Sequence, residues 1–220
     1  ETDGASDFLR HHLQRIVAIS AVFLKDDRLT VWSLGEESSS EAELIARFFE
    51  GIERHSPTLV SWNGGGFDLP VLHYRALLHG VAAPRYWETG NDDASFRYSN
   101  YLSRYHWRHI DLMDVLSGYQ PRATAPLHDI ATLLGFPGKL GMSGKEVWPR
   151  FLAGGLADIR QYCETDVLNT WLVYLHFERM RGNLLSAQYA IEIARVRSLL
   201  AESGKAHLLE FLAAWPDSVA

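Results

Sequence analysis

The sequence predicts an α/β fold with mixed strand directions, because extended runs and helical patterns alternate along its first half. Two apolar runs rich in β-branched residues, Arg15–Leu24 and Leu29–Leu34, flank a short polar turn, which indicates an antiparallel hairpin. A buried strand is predicted at Thr58–Trp62, after a helix, and a short strand at His109–Leu112. The second half is dominated by helical patterns. The predicted sheet is therefore flanked by helices and followed by additional C-terminal helices.

Capping and turn residues mark the predicted helix boundaries. Ser40, with Glu43 three residues later, forms the pattern of a capping box ahead of an apolar stripe. Pro70 lies in the first turn of the next helix, where its missing N–H costs little, and Gly80 ends that helix. Residues 81–106 are predicted to be irregular and are rich in aromatic side chains. The remaining helices are predicted at 113–118, 126–135, 158–180, 186–203 and 205–214.

Length and composition are those of an ordinary globular protein. The 220 residues favour one domain, 1–220, with the helices of 184–220 as an extension. Apolar runs are far shorter than the roughly 18 residues of a membrane span, so no membrane partner is expected. A single cysteine, Cys163, excludes an internal disulfide and a cysteine-rich zinc site, which favours a reducing cytoplasm.

The net charge of −6 argues against binding nucleic acid by bulk charge, but it allows an enzyme that meets phosphate through metal ions held by carboxylates.

Two stretches carry side chains suited to chemistry. In VSWNGGGFDLP, a buried strand ends at Asn63, three glycines permit a sharp bend, and Asp68 follows. Taken alone, Asp68 either starts a helix or is a site residue held at the end of a strand. In YCETD, Tyr162 and Asp166 are four residues apart on a predicted helix, so a phenol and a carboxylate point the same way. Taken alone, this pair is either an ordinary surface pair or part of a site.

Together, the two stretches resemble the exonuclease domain of family-B DNA polymerases, within the DEDD 3′-5′ exonucleases of the ribonuclease-H-like fold. In particular, the chain is similar to stand-alone bacterial proteins predicted to be related to that domain. The resemblance extends over most of the chain and is strongest in VSWNGGGFDLPVLHYR and YCETDVLNTWLVY. The supporting stretches are FLRHHLQRIVAIS, RYHWRHIDLMDVL and LHDIATLLGFPGK. The fold that this implies is a ribonuclease-H-like mixed sheet flanked by helices.

The resemblance implies a metal-dependent 3′-5′ exonuclease of the tyrosine subclass that acts on the 3′ end of single-stranded DNA or RNA, in repair or nucleic-acid turnover. By motif position, Asp68 and Asp166 would be metal-site acids, and Tyr162 would orient the attacking water. Hard oxygen ligands suit two Mg²⁺ or Mn²⁺ ions, which can activate a water and stabilise the leaving oxygen of a phosphodiester. Asn63 and Phe67 would line the cleft near the terminal nucleotide, unless they are structural turn residues.

One part of the family pattern has no counterpart in this sequence. The pattern begins with an apolar strand that carries Asp-x-Glu, whereas Glu1-Thr2 only mimics the end of that motif and no apolar strand frames it. In the family's fold this strand lies in the middle of the sheet, and its two neighbours would otherwise leave backbone groups unpaired. We therefore expect the natural polypeptide to continue upstream of Glu1. The alternative is a nucleic-acid-binding or protein-interaction module that kept the fold without the full site.

A third stretch, FRYSNYLSRYHWRH at 96–109, interleaves basic and aromatic side chains and contains no acid. Its Arg104 and Arg108 could contact the phosphates of a single strand while neighbouring rings stack on the bases. The alternative is a packed loop whose aromatic side chains enter the core. Two acids nearby, Asp111 and Asp114, lie beside a predicted strand and helix start and are interpreted as structural.

Overall fold

The computed structural model describes residues 9–216, so Glu1-Thr2 and both ends of the predicted 1–220 domain lie outside the described residues. The described strands are β1 (Ser20–Lys25), β2 (Arg28–Ser33), β3 (Leu59–Ser61) and β4 (His109–Asp111). The described α-helices are α1 (Glu41–His55), α2 (Asp68–His79), α3 (Pro84–Trp87), α4 (Leu112–Leu116), α5 (Leu127–Leu133), α6 (Val147–Leu152), α7 (Leu156–Met180), α8 (Ser186–Glu202) and α9 (Ala206–Ala214). None of these helices combines the length and the apolar character that a membrane span requires.

The strands pair in two small sheets. Strands β1 and β2 form an antiparallel hairpin in which Ser20 lies opposite Ser33. Its two turn residues, Asp26 and Asp27, both have positive φ, the backbone conformation of a tight hairpin turn that matches the twist of the strands. Strands β3 and β4 pair in parallel. Small sheets of mixed direction with flanking helices confirm the predicted α/β class and are consistent with a ribonuclease-H-like fold.

Strand β1 is shorter than the apolar run that predicted it, because its first residues are engaged elsewhere. The N–H of Ile16 donates to the Glu41 carboxylate at 2.7 Å, whereas the carbonyl of Ile19 accepts from the N–H of Leu34 at 2.7 Å, one residue beyond the end of β2. Pairing with β2 begins only at Ser20. An apolar run shows that a segment is suited to a strand, but the available partner decides where the strand starts.

The chain divides into two compact units. The first comprises the residues up to Ile19 together with Leu34–Ala123, and the second comprises Ser20–Ser33 together with the residues from Thr124 onward. The sheet of β3 and β4 belongs to the first unit, and the hairpin of β1 and β2 belongs to the second. The predicted boundary at residue 184 stays a prediction.

In the first unit, α1 packs on α2 and α3. Ser40 caps α1 as predicted, because its hydroxyl accepts the N–H of Glu43 at 3.2 Å. The core of this unit is aliphatic and aromatic and comprises Ile45, Phe49, Ile52, Leu69, Leu72, Ala76, Tyr86, Phe96 and Tyr101.

The buried carboxylate of Glu41 connects α1 to α2, since it accepts from the guanidinium of Arg75 and lies 2.9 Å from His79 Nε2. Burial raises the pKa of Glu41, but the hydrogen bonds from Arg75, His79 and Ile16 outweigh it and lower the pKa to about 2.

In the second unit, the long helix α7 packs against both strands of the hairpin and against α5, α6, α8 and α9. It buries Leu168, Leu172 and Val173, while α8 buries Leu200 and α9 buries Phe211. The two C-terminal helices therefore contribute apolar side chains to the interior of this unit. A helix that is contacted on so many sides holds its remaining polar residues in fixed positions.

Candidate active site

The turn after β3 is held by a carboxylate from the neighbouring strand. Asn63 has a φ of +61°, and its carbonyl accepts from the N–H groups of Gly66 and Phe67 at 3.1 and 2.9 Å. The buried carboxylate of Asp111, at the end of β4, accepts the N–H of Asn63 at 2.8 Å and that of Gly65 at 2.9 Å. The interpretation of Asp111 as a structural acid is confirmed.

Asp68 is the first residue of α2, and its side chain is exposed. The N-cap position belongs to Phe67, whose side chain makes no capping hydrogen bond and whose ring centroid lies 5.7 Å from that of His11. The positive end of the helix dipole favours a carboxylate at this position. The structure thus presents Asp68 at the surface, one residue beyond the turn that Asp111 holds.

The first of the three glycines is required by close packing. A Cβ atom on Gly64 would lie 2.4 Å from Ser61 Oγ and 2.6 Å from Ser61 Cβ. Ser61 cannot easily move, because its Oγ lies 2.8 Å from Nε2 of the buried His109. Burial lowers the pKa of His109 and so favours its neutral form. These contacts pack the turn against the parallel sheet.

The Tyr162 and Asp166 side chains meet on one face of α7, as their spacing predicts. The Tyr162 hydroxyl hydrogen bonds to the Asp166 carboxylate, and both residues are partly buried. Burial raises the pKa of Asp166, although the hydrogen bond from Tyr162 and the charge of Lys139 act in the opposite direction. Burial, the charge of Asp166 and the hydrogen bond to it all raise the pKa of Tyr162, which keeps the phenol protonated. The result is a carboxylate that would gain from added positive charge, with a neutral phenol beside it.

A buried amide on α7 positions the loop that carries Lys139. Asn169, one turn beyond Asp166, donates to the carbonyl of Gly138 at 2.8 Å and accepts its N–H at 3.1 Å. Gly138 has a φ of +66°, and a Cβ atom there would lie 2.4 Å from His128 Nδ1. The N–H of Lys139 in turn donates to His128 Nδ1 at 3.0 Å. This two-sided clamp fixes the backbone of a lysine whose charge acts on Asp166.

Glu164 lies between the two site residues in sequence but serves a different purpose. Its buried carboxylate accepts from Ser33 Oγ at 3.0 Å and from Lys205 Nζ at 3.0 Å, and it lies 2.8 Å from His207 Nε2. Burial raises the pKa of Glu164, but the hydrogen bonds from His207 and Lys205 lower it to about 2. Glu164 therefore joins α7 to β2 and α9 as a permanent anion.

Tyr162 lines a cleft of about 630 Å³ within the second unit. Its other lining residues include Thr165 of α7, Arg150 of α6 and the loop residues Leu140 and Met142. The cleft is of the size that small ligands or a terminal nucleotide occupy. Tyr162 thus borders a cleft that opens to solvent, and Asp166 is not among the residues that line it.

The aromatic stretch at 96–109 divides between core and surface. Phe96 and Tyr101 are buried, as the packed-loop interpretation predicts, whereas Tyr105 is exposed. The guanidinium of Arg108 lies 3.8 Å from the Phe96 ring centroid and donates to the carbonyl of Ser99. Arg104 is more exposed and forms a salt bridge with Asp114 at 2.7 Å, which supports a structural role for Asp114. Contact of either arginine with a substrate stays a prediction.

The comparison with protein families identifies the chain. A family described as predicted 3′-5′ exonucleases related to the exonuclease domain of PolB matches residues 6–215. The chain belongs to this family. The match covers both motif-bearing stretches, so the turn at Asn63 and the Tyr162–Asp166 pair lie within the exonuclease-like region.

A relative of known identity supports the assignment. The catalytic polypeptide of DNA polymerase epsilon from Schizosaccharomyces pombe is 25% identical over 147 residues. That region is 62% of this chain but only 6% of the polymerase polypeptide, so the chain spans a small fraction of that relative's length.

Exonucleases of this family typically use divalent metals, and the described carboxylates can be compared with that requirement. Within residues 9–216, no three Asp, Glu, His or Cys side chains are grouped closely enough to hold a metal ion. Asp166 has the character of one ligand for a hard cation, because it is an oxygen donor whose burial makes added positive charge favourable. The described residues thus offer individual carboxylate ligands and do not by themselves form a complete metal site.

Sequence reasoning missed the residues that hold the site in place. Asn169 and Gly138 are 31 residues apart, and Glu164 meets partners on two other elements, so no local pattern marks these contacts. An asparagine among the apolar residues Leu168, Leu172 and Val173 of the predicted helix was the available signal.

Proposed function

We propose that this chain is a metal-dependent 3′-5′ exonuclease that hydrolyses phosphodiester bonds at the 3′ end of single-stranded nucleic acid. The observation that carries the proposal is the hydrogen-bonded Tyr162–Asp166 pair on α7, within a chain that matches the exonuclease family over residues 6–215. DNA is the substrate we expect before RNA, because the named relative belongs to a DNA polymerase.

On α7, Asp166 acts as a metal-site acid and Tyr162 orients the attacking water. The phenol is protonated and hydrogen bonded to the carboxylate, so its oxygen can accept one further hydrogen bond in a fixed direction. A bound Mg²⁺ or Mn²⁺ would supply the positive charge that lowers the pKa of the attacking water and stabilises the leaving oxygen. The clamp of Asn169 on Gly138 keeps the charge of Lys139 near Asp166 between turnovers.

On α2, Asp68 acts as a metal-site acid. The Asp111 carboxylate fixes the preceding turn, so the position of Asp68 does not depend on a flexible loop. Asn63 and Phe67, on the same turn, line the path of the terminal nucleotide. Arg104 and Arg108 contact the single strand, Arg104 through its exposed side and Arg108 through the part of its guanidinium that does not face Phe96.

The test is cleavage of a 5′-labelled single strand by the intact protein with Mn²⁺ and with a chelator. We expect a ladder that shortens from the 3′ end, disappears with the chelator, and is absent in Asp166→Asn and Asp68→Asn. Glu202→Gln, at an exposed acid on α8, is the matched control and should cleave normally. Normal cleavage by Asp166→Asn would contradict the proposal. A salt-sensitive gel shift without cleavage in any variant would instead indicate a binding module.

A further inference from the structure

One cluster of basic and aromatic side chains at the surface of the first unit, two of them exposed and one half-buried, has the form of a base-binding surface. Tyr105 and Tyr119 have ring centroids 5.0 Å apart at 65°, and the guanidinium of Arg104 lies 5.1 Å from the Tyr119 ring and 5.9 Å from the Tyr105 ring. Tyr105 is 66% exposed. We refer to Arg104, Tyr105 and Tyr119 as the tyrosine platform. Its planar groups contact one another, and those of Arg104 and Tyr105 are exposed to solvent whereas Tyr119 is half-buried.

The backbone at Tyr119 adopts a conformation that aromatic residues rarely use. Tyr119 has a φ of +61°, directly after Gly118 at +60°, and its N–H donates to the carbonyl of Asp114 at 2.8 Å. A left-handed backbone at a bulky residue is unfavourable and persists where the surroundings hold it in place. Here α4 ends at Leu116, and the left-handed pair turns the Tyr119 ring back toward Arg104.

The platform is tied to the turn that precedes Asp68 through two acids on one short segment. Asp111, at the end of β4, accepts from Asn63 and Gly65, whereas Asp114, three residues later on α4, holds Arg104 at 2.7 Å. Residues three apart at a helix start lie about one helical turn apart, roughly 5–6 Å between Cβ atoms. The platform and the turn are therefore attached to neighbouring points of the same rigid element.

We propose that the tyrosine platform stacks on bases of the single strand whose 3′ end this chain trims, an inference that rests on the proposed function. Aromatic rings and a guanidinium plane bind bases without regard to sequence, because every base has a π-face. Stacking, and not net charge, is the dominant contribution, since Arg104 is already paired with Asp114.

The experiment compares two labelled strands of equal length, an oligothymidylate and a sugar–phosphate strand that lacks bases. Binding of each to the intact protein is measured by fluorescence anisotropy in the presence of a chelator, so that no cleavage occurs. We expect Tyr105→Ala to weaken binding of the oligothymidylate by about five-fold or more and to leave binding of the base-free strand unchanged. Tyr105→Phe should retain the wild-type affinities. Tyr74→Ala removes a partly exposed tyrosine of α2 and is the matched control.

Three results would contradict the proposal that the tyrosine platform stacks on bases. They are unchanged affinity of Tyr105→Ala for both strands, an equal loss for both strands, and a wild-type protein that binds neither strand. Failure of the platform is distinguishable from failure of the exonuclease proposal. If the protein cleaves the strand but Tyr105→Ala shows no base-selective loss of affinity, only the proposal that the tyrosine platform stacks on bases is rejected. If Tyr105→Ala shows a base-selective loss of affinity but the protein shows no metal-dependent cleavage, only the exonuclease proposal is rejected.

Discussion

The carboxylate of Asp111 accepts the backbone N–H of Asn63 at 2.8 Å across 48 residues of sequence. This contact, with a second one to the N–H of Gly65, stabilises a turn in which Asn63 has a left-handed conformation. Hydrogen bonds to a buried charged acceptor are stronger than neutral ones and are costly to break. The local shape of the motif turn therefore depends on an acid outside the motif.

Asp111→Asn should lower the free energy of unfolding by about 2–3 kcal/mol, because the amide replaces one acceptor oxygen with a donor that faces an N–H. Urea unfolding measures this change. Asp114→Asn removes the same charge three residues away, where the partner is the exposed Arg104, and should cost less than about 1 kcal/mol. Equal effects for the two variants would contradict the role assigned to Asp111.

Gly64→Ala and Gly51→Ala should shift the melting temperature in opposite directions. The added Cβ at Gly64 meets Ser61 Oγ at 2.4 Å, and overpacking of this kind costs about 1–3 kcal/mol. The added Cβ at Gly51, within α1, meets nothing within 4 Å, so alanine should stabilise the helix by about 0.5–1 kcal/mol. Differential scanning calorimetry distinguishes the two signs. A melting temperature raised by Gly64→Ala would show that Ser61 can move aside.

Glu41 should make the protein sensitive to acid. The pKa of Glu41 is lowered from 4.5 to about 2 in the folded state, so its contribution is present above pH 4.5 and is lost as the pH falls toward 2. Urea midpoints measured across this range should fall less steeply in Glu41→Gln than in the wild type. At neutral pH the same variant should be less stable by about 3 kcal/mol, because Arg75 loses its buried partner. Glu50→Gln, at an exposed position of α1, should reproduce the wild-type profile.

Tyr162→Phe should reduce kcat by about 100-fold and leave KM for a single strand nearly unchanged, because it removes the hydroxyl without removing a carboxylate. Asp166→Asn should cause the larger loss. Single-turnover cleavage with excess enzyme separates these effects from substrate affinity. If Tyr162→Phe cleaves at the wild-type rate, the hydroxyl does not orient the water.

Phe211→Ala should destabilise the second unit by about 3–5 kcal/mol, since this side chain of α9 is 0% exposed. Leu209→Ala, on the same helix but 42% exposed, should change the free energy of unfolding by less than about 1 kcal/mol. Circular dichroism during thermal unfolding measures both. A small effect at Phe211 would show that α9 can detach without unfolding the rest of the unit.

Local signals predicted most of the elements. Ser40 marks the start of α1 and Gly80 the end of α2, as expected. The short strand at His109–Asp111 forms where the pattern HIDL predicted it. The helices α3 and α6 were not predicted. Both are short and contain proline, so neither shows an apolar period long enough to recognise. Their formation depends on tertiary contacts that a local pattern does not contain.

The candidate site was predictable only where its residues are close in sequence. The spacing of Tyr162 and Asp166 predicted that their side chains face the same way, and their hydrogen bond confirms it. The same helix sends Glu164 in another direction, toward Ser33, Lys205 and His207. A periodic pattern predicts which face of a helix a residue occupies, but it does not predict which residues of other elements that face contacts.

The hairpin of β1 and β2 has a consequence for synthesis on the ribosome. Ser33 in this hairpin donates to Glu164, which is translated 131 residues later. At about 5–20 residues per second, roughly 7 to 26 s pass between the synthesis of Ser33 and that of Glu164. In that interval the longer segment of the first unit, Leu34–Ala123, is synthesised. The hairpin of the second unit precedes this segment and the rest of the second unit follows it, so cotranslational folding should complete the first unit before the second.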